Sequence, residues 1–303
     1  MAQLVQIGIL SQSSDLTMSD LLRLAAALQK QVSRDFEPVW GIRATVSAFS
    51  SIETKPTNYW PLVFVDSLGD PSLEGYHQFS NGQPMAVVRI NQNWTHSASH
   101  ECLEMIADPW GNSLRTSNSV RPGAEDQRVQ YLVEVCDPCA NRDYGYNVDD
   151  LLMCDFYTPD YFAPVAASSA RYSFSGNVTA PRQVLPGGYL SFFDPADGVC
   201  YQLRWPYGAP SPVLVTIPSL SLNSQRFEGG NFRAAIDRLS PHEKGAGDVS
   251  GKSRVSSTTL SPVRGGKAQS VLYDAFLASL CKPGRRGTTR GRELRTPSRR
   301  RSR

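Results

Sequence analysis

The chain has 303 residues, of which 40% are hydrophobic and 10% aromatic, and its formal net charge is +3. Such a chain can bury a sizeable core, which excludes a largely disordered protein and suits one large domain or two smaller ones. Residues 282–303 hold ten Lys and Arg and one acid, Glu293, so the remainder has 21 basic and 27 acidic residues and a net charge of −6. We therefore expect an acidic folded part and a basic tail.

The N-terminal residues resemble a first strand and not a targeting segment. Residues 1–10 have no basic region, no long apolar run and no small-residue cleavage site, which argues against a secretory signal. No stretch reaches the roughly 18–20 apolar residues that a membrane span requires. We therefore expect a cytoplasmic protein with no membrane partner.

Six cysteines are too few to build a disulfide framework in a chain of this length, so we expect reduced thiols. Cys136 and Cys139 form a C-x-x-C pair, but the sequence has no second pair to complete a zinc ribbon. The pair is therefore predicted to be ordinary buried thiols or a local redox pair, in preference to a separate structural zinc site.

Hydrophobic periodicity predicts alternating strands and helices in the first hundred residues. The predicted elements are a strand at 3–11, a helix at 17–34, and strands at 43–49, 60–66 and 85–91. Ser13, Ser14 and Asp15 form a turn and a possible cap before the helix. Asn81 and Gly82 supply turn chemistry before the last of these strands.

A helix that begins near Ser99 brings four reactive side chains together. At about 100° per residue, His100, Glu104 and Asp108 fall within about 80° of one another, so one imidazole and two carboxylates share a face that could hold a metal. Glu101 lies about 60° from Glu104, where it could take a proton from an attacking water. The pattern H-E-x-x-E differs from the H-E-x-x-H of zinc hydrolases at the second ligand.

The rest of the chain is predicted to be richer in strands and less regular. It comprises a polar loop at 111–127, a strand or short helix at 128–135, a strand and turn at 150–162, short strands at 170–216, and a low-complexity region with a helical segment at 271–280. Low apolar content predicts disorder at 240–265 and after 281.

Two motifs resemble a group of bacterial and viral zincin-like proteins. This group carries S-H-E-x-x-E-x-x-x-D-P, matched here from Ser99 to Pro109, followed by E-x-x-D-x-C, matched from Glu134 to Cys139. The likeness covers roughly residues 3 to 205. It implies a metallopeptidase-like fold with one zinc ion per chain, and an edge strand that pairs with an extended substrate. In this chain the corresponding strand is the one predicted at 85–91.

Three protein ligands and one open position are needed for hydrolysis at zinc. His100 and Glu104 supply two, and by resemblance to the gluzincins the third is expected from a downstream carboxylate. We predict Glu134, with Asp137 and Asp108 as alternatives. A carboxylate in place of the second imidazole lowers the charge of the site, which predicts a weaker peptidase or a preference for another divalent metal.

Several weaker alternatives remain open. The acidic residues of the helix could form a solvated face without a metal, and Asp108 could end the helix and orient His100. Tyr144 or Tyr146 could donate a hydrogen bond to a developing oxyanion. The imidazoles of His77 and His96 are further candidate ligands.

The sequence thus predicts an α+β fold with a zincin-like mixed sheet and motif helix at 1–110, a β-rich subdomain that completes the metal site at 111–218, and a low-complexity, mostly disordered basic tail at 219–303. The predicted function is that of a zinc-dependent hydrolase, a metallopeptidase with Glu101 as general base, acting on an extended peptide or protein. The alternative is a non-catalytic binding or assembly protein of the same fold whose basic tail contacts nucleic acid nonspecifically.

Overall fold

The computed structural model describes residues 4–80 and 82–217. Within them the chain is a mixture of helices and strands, which confirms the predicted α+β class. The expectations for the tail at 219–303, including its disorder, its helical segment and its nucleic-acid contacts, lie outside the described residues.

The first half forms a five-stranded sheet with the order β2-β1-β3-β5-β4. Its strands are β1 (Val5–Ser11), β2 (Ala44–Ala48), β3 (Trp60–Val65), β4 (Gly75–Ser80) and β5 (Gln83–Arg89). All neighbours are parallel except β4, which runs antiparallel to β5. The four strands predicted from the sequence are confirmed, and β4 is an addition to them.

The position of β5 corrects one prediction. The sequence places an edge strand that pairs with substrate at 85–91, but β5 hydrogen-bonds with β3 on one side and with β4 on the other. The physical reason is the short connection between β4 and β5, which folds β4 back along the side of β5 that was predicted to be open. The outermost strand of the described sheet at this end is therefore β4.

The first helix begins one residue after its cap and ends earlier than predicted. Helix α1 spans Met18–Lys30, and Thr17 and Asp20 form a capping box in which each side chain accepts a hydrogen bond from the other residue's backbone N–H. The chain then continues as a π-helical segment, Gln31–Phe36, and a short helix α2, Glu37–Trp40, which ends at Gly41 in the left-handed conformation.

The motif helix α3 spans Trp94–Ala107 and is buried along nearly its whole length. It packs against β4 and β5 on one side and against β9 of the second half on the other. Because α3 lies between the two halves, side chains on different faces of this helix reach residues from both.

The second half contains a five-stranded antiparallel sheet with the order β12-β11-β10-β7-β6, and a separate hairpin of β8 and β9. Its strands are β6 (Leu114–Asn118), β7 (Arg128–Leu132), β8 (Tyr146–Val148), β9 (Leu151–Met153), β10 (Tyr189–Asp194), β11 (Val199–Arg204) and β12 (Val213–Ile217). Segment 128–135 is thus a strand over its first five residues. The loop predicted at 111–127 contains β6, whose polar and mostly exposed residues hide the strand pattern.

One cluster of buried apolar side chains includes residues from both halves, from Ile7 of β1 to Tyr201 of β11. The two halves therefore share a core. Within the described ranges, α1, α2 and α3 all lack the length or the apolar character that crossing a bilayer requires.

Candidate metal centre

The helix α3 supplies the centre of the site. His100 and Glu104 lie one turn apart, and His100 Nε2 is 3.2 Å from Glu104 Oε2. Both residues are buried, as is Glu101 between them in sequence. The alternative in which the acids of this helix form a solvated face is therefore wrong.

Asp137 joins this pair from the second half. It begins a one-turn 3₁₀-helix, Asp137–Cys139, and its Oδ1 lies 3.2 Å from His100 Nε2. His100, Glu104 and Asp137 can each offer a donor atom within 4.8 Å of the other two. Two donors on a tetrahedral ion at about 2.0–2.2 Å are roughly 3.3–3.6 Å apart, so these separations suit zinc.

Glu134 belongs to a neighbouring set of donors. Its Oε2 lies 4.0 Å from Nε2 of His77, which is a residue of β4. The other nitrogen of His77, Nδ1, lies 3.6 Å from Glu104 Oε2. His77, Glu104 and Glu134 also offer donor atoms within 4.8 Å of one another. The two downstream carboxylates that the sequence leaves open are thus both near Glu104, and the one beside His100 is Asp137.

Glu101 is held against the outer strand. Its Oε2 lies 3.6 Å from His77 Nδ1, and both side chains are almost fully buried. A Cβ atom added to Gly75 would be 2.8 Å from Glu101 Cγ and 3.0 Å from Glu101 Oε1. The glycine therefore allows β4 to approach α3 closely, and His77, two residues further along the same face of the strand, reaches the site.

Asp108 has a different role from the one predicted for its carboxylate. It is the C-terminal cap of α3, with φ −133° and ψ 71°, so it confirms the predicted helix end. Its carboxylate accepts hydrogen bonds from the backbone N–H groups of Asn112 and Ser113. Because the backbone leaves the helix here, the prediction that Asp108 shares the donor face is wrong, and it is in none of the donor groups found among the described residues.

The other nitrogen of His100 faces thiols. Its Nδ1 lies 3.7 Å from Cys154 Sγ, and Cys136 is close enough to form a third donor group with these two residues. Burial works to raise the pKa of Cys154, but hydrogen bonding from Cys136 and the proximity of His96 and His100 hold that pKa below its ordinary value. Burial raises the pKa of Cys136, which favours its role as hydrogen-bond donor to Cys154. His96 thus lies on the thiol side of His100.

The cysteines of the described ranges are buried and carry free thiols. Cys136 and Cys139 are both among them, and burial raises the pKa of the Cys139 thiol as well. Cys281 lies outside the described residues.

A buried hydrogen-bond network fixes the start of the motif. Ser99 Oγ donates to Gln31 Oε1 at 2.7 Å and accepts from the N–H of Cys154 at 3.0 Å. Gln31 Nε2, at the start of the π-helical segment, donates in turn to the carbonyl of Cys154. These hydrogen bonds therefore hold three parts of the chain together around His100: the start of the π-helical segment, the helix α3 and the residue after β9.

The tyrosines of the site differ from those proposed from the sequence. Tyr146 donates its hydroxyl hydrogen to Asp35 of the π-helical segment at 3.0 Å. The hydroxyl is therefore hydrogen-bonded to that segment and does not face an oxyanion. Tyr144 lies near Asp143 and Tyr207. Tyr157, which the sequence pattern does not single out, is fully buried and close to the carboxylate cluster. Burial, then neighbouring Tyr161, then the charges of the cluster's carboxylates raise its pKa.

The sequence holds no signal for Tyr157, which lies in the segment that follows β9 and returns to the site. The backbone N–H of Tyr157 donates to the carbonyl of Val135, next to Glu134. The same segment begins with Cys154. Sequence spacing gives no means of pairing these residues with a helix some fifty residues upstream.

Comparisons with protein-family models, with curated proteins and with solved structures found no match.

Proposed function

We propose that the protein is a metal-dependent hydrolase, with zinc as the expected metal, His100, Glu104 and Asp137 as ligands, and Glu101 as general base. Asp137 takes the place that the sequence assigns to Glu134 because its Oδ1 lies 3.2 Å from His100 Nε2. Glu134 belongs to the adjoining set with His77.

The observation that carries the proposal is the convergence of nitrogen and oxygen donors in a buried place. Two imidazoles and four carboxylates meet here, all of residues at most 5% exposed. His77 lies within 4.0 Å of the carboxylates of Glu101, Glu104 and Glu134. His100 lies within 4.0 Å of those of Glu104 and Asp137. Burying charged carboxylates is costly unless a cation or hydrogen bonds compensate them. A divalent cation supplies such compensation.

The chain's own residues would divide the chemistry between them. When bound, a divalent ion lowers the pKa of a coordinated water and polarises a carbonyl oxygen. Glu101, next to the ligands but outside the set His100, Glu104 and Asp137, accepts the proton from the attacking water. His77 lies 3.6 Å from Glu101 and packs against that carboxylate.

A peptide is the substrate class that the architecture favours. The outermost strand of the described sheet, β4, carries His77 into the cluster, and a peptide that adds to this side of the sheet would lie beside the donors. We therefore propose that substrate binds at β4 and not at segment 85–91.

The first test is elemental analysis of protein purified without chelator or affinity metal, beside a variant with His100→Ala and Glu104→Ala. The expected result is stoichiometric zinc in the native protein and none in the variant. The native protein and the matched Glu101→Gln variant are then incubated with a peptide library. Cleavage that Glu101→Gln abolishes, with metal retained, supports the proposal, and absence of metal from the native protein contradicts it.

A second candidate is favoured by the depth of the site. The proposed ligands and Glu101 are almost completely buried, which suits a metal that stabilises the fold of a non-catalytic binding protein. In that case Glu101→Gln leaves binding and stability unchanged and no peptide is cleaved. The basic residues 282–303 would then be the part that contacts nucleic acid, and they lie outside the described residues.

A further inference from the structure

We propose that the site is dinuclear, with a second divalent metal ion bound by His77, Glu104 and Glu134 and with Glu104 shared by both ions. The inference rests on the proposed function, because the first ion is the one held by His100, Glu104 and Asp137. It extends that function from a single metal to a two-metal site.

The donor sets are the first support. Each contains one imidazole and two carboxylates, and in each set the donor atoms lie within 4.8 Å of one another. His77 Nδ1 lies 3.6 Å from Glu104 Oε2, and His77 Nε2 lies 4.0 Å from Glu134 Oε2. Because an imidazole binds an ion through one of its nitrogens, the measure that counts is the 4.8 Å within which one nitrogen and one oxygen of each carboxylate all lie. Rotation of the His77 ring or of the Glu134 side chain is needed to bring the three donors to a common metal.

Glu104 is placed as a bridging ligand would be. Its Oε1 accepts a hydrogen bond from the backbone N–H of Cys136 at 3.2 Å, which fixes the plane of the carboxylate. Its Oε2 then lies between two imidazoles, 3.2 Å from His100 Nε2 and 3.6 Å from His77 Nδ1. The two histidines come from different elements, α3 and β4, so their approach to one oxygen is a property of the fold and not of local sequence.

The charge of the cluster is compatible with a second ion. Glu101, Glu104, Glu134 and Asp137 are all buried, and they carry four negative charges when all are ionised. One divalent ion halves this charge and two divalent ions neutralise it. With all four ionised, a second divalent ion offsets the two negative charges that a single ion leaves uncompensated.

Tyr157 gives a separate indication that the region beside Glu134 is built for a polar occupant. Its side chain is fully buried and its hydroxyl makes no hydrogen bond within the described part of the chain. Buried hydroxyls are normally hydrogen-bonded. The backbone N–H of Tyr157 donates to the carbonyl of Val135, next to Glu134, and the charges of Glu134, Glu104 and Asp137 contribute to raising the pKa of Tyr157.

The donor chemistry indicates which ions fit. Imidazole and carboxylate donors suit Zn²⁺, and sites of this kind also accept Mn²⁺ and Co²⁺. Ions in two-metal sites are about 3.5–4 Å apart, a distance that a single bridging carboxylate can span. The thiol side of His100 takes no part in either set.

The test is a count of zinc ions per chain. Full-length protein is stripped of metal with a chelator, reloaded with Zn²⁺, freed of excess ions and measured by elemental analysis. The native protein is expected to hold two ions per chain. The pair His77→Ala and Glu134→Gln should hold one, and the pair His100→Ala and Asp137→Asn should also hold one. Asp155→Asn, which changes a buried carboxylate outside both sets, is the matched control and should hold two.

Other counts distinguish the two proposals. One ion in the native protein, lost with His100 and Asp137 but kept without His77 and Glu134, overturns the second site and leaves the proposed function standing. No metal in the native protein overturns both.

A measurement on native protein covers the case in which a variant fails to fold. The stripped protein is titrated with Mn²⁺ and followed by electron paramagnetic resonance. A dinuclear site gives a spin-coupled signal as the second equivalent binds. A signal of isolated ions at every ratio, or saturation at one equivalent, overturns the inference.

Discussion

The two nitrogens of His100 face two chemically different surroundings. On the Nε2 side are the carboxylates of Glu104 and Asp137, each 3.2 Å away, and on the Nδ1 side is the thiol group of Cys154, 3.7 Å away. Carboxylates that are ionised attract a cation directly. The thiol side includes Cys136, whose pKa burial raises, so that it remains a hydrogen-bond donor, and Cys154, whose pKa is held below its ordinary value by that hydrogen bond and by His96 and His100.

The difference between the two sides shows how the orientation of the His100 ring can be fixed. A ligand histidine whose second nitrogen is hydrogen-bonded has its tautomer and ring orientation fixed. Cys154 can do this for His100 in the way a carboxylate does in many metal sites. We therefore interpret the carboxylate side as the metal side and the thiol side as the support that orients the ligand. Substitutions on each side test that division.

The largest effect is expected for Glu104→Ala, with Asp108→Ala as the matched control one turn further along the chain. Glu104→Ala should weaken zinc binding by more than about 100-fold, beyond the effect typical of an orienting partner. Asp108→Ala should keep the zinc and lose only stability, because its carboxylate bonds backbone N–H groups. Isothermal titration with Zn²⁺ measures both. Full zinc affinity in Glu104→Ala would place the metal elsewhere.

Cys154→Ala is expected to have an intermediate effect. Loss of the group that orients His100 should weaken zinc binding by about 10–100-fold without removing the site. Cys200→Ala, at a buried cysteine in β11, should change nothing in the affinity. Competition with a chromophoric chelator measures the change. Complete loss of zinc in Cys154→Ala would show that the thiol side binds the metal, and would reverse the division.

Ser99→Ala is expected to lower the free energy of unfolding by about 2 kcal/mol, because it leaves the N–H of Cys154 and the amide oxygen of Gln31 without their buried partner. Urea unfolding in the presence of a chelator measures this without a contribution from the metal. Ser33→Ala, at an exposed residue of the π-helical segment, should stay within about 0.5 kcal/mol of the native protein. Equal stability of the two variants would mean that the network does not hold the thiol side in place.

The smallest effect concerns Asp155, a carboxylate that follows Cys154 and lies outside both donor sets. Burial raises its pKa above the ordinary value, while hydrogen bonds from the N–H groups of Ser175 and Phe156 work in the opposite direction. The folded state therefore binds the proton more tightly, and stability falls as pH rises from the unfolded to the folded pKa. Asp155→Asn removes this loss.

The variant Asp155→Asn should be more stable than the native protein near pH 7 by less than about 1 kcal/mol, and the difference should vanish as the pH falls below the unfolded pKa. Thermal unfolding between about pH 4 and 8 measures it, a range that starts near the ordinary pKa of an aspartate. A difference that grows on acidification has the wrong sign and would contradict the assigned cause.

The sequence can predict the part of the site that depends on helix periodicity. His100 and Glu104 are four residues apart, and this spacing alone brings them together on one face of α3. Asp137 and Glu134 can be named but not ranked, since the chain between β7 and the 3₁₀-helix follows no regular period. Their positions depend on how the second half packs against α3.

The sequence predicts which segments are strands better than it predicts the order of those strands in the sheet. The apolar run of β5 is recognisable in the sequence, but whether β4 lies beside it or elsewhere depends on a hairpin that folds back along the sheet. That pairing also decides where His77 lies. The alternation of a strand predicts which residues share a face of the sheet, but it does not predict which residues of other strands lie beside them. The unpredicted strand β6 has one buried residue, Ser117, so its pattern resembles that of a loop.

Gly75 links the outer strand to the proposed base in a way that sequences of relatives can test. A Cβ atom at this position would lie 2.8 Å from Glu101 Cγ and 3.1 Å from the carbonyl oxygen of Val87, so a side chain here would displace the proposed base or the neighbouring strand. We therefore expect a sequence that keeps this arrangement of strand, base and helix to keep glycine at position 75. The residue at that position is thus a marker of the arrangement that can be checked without a structure.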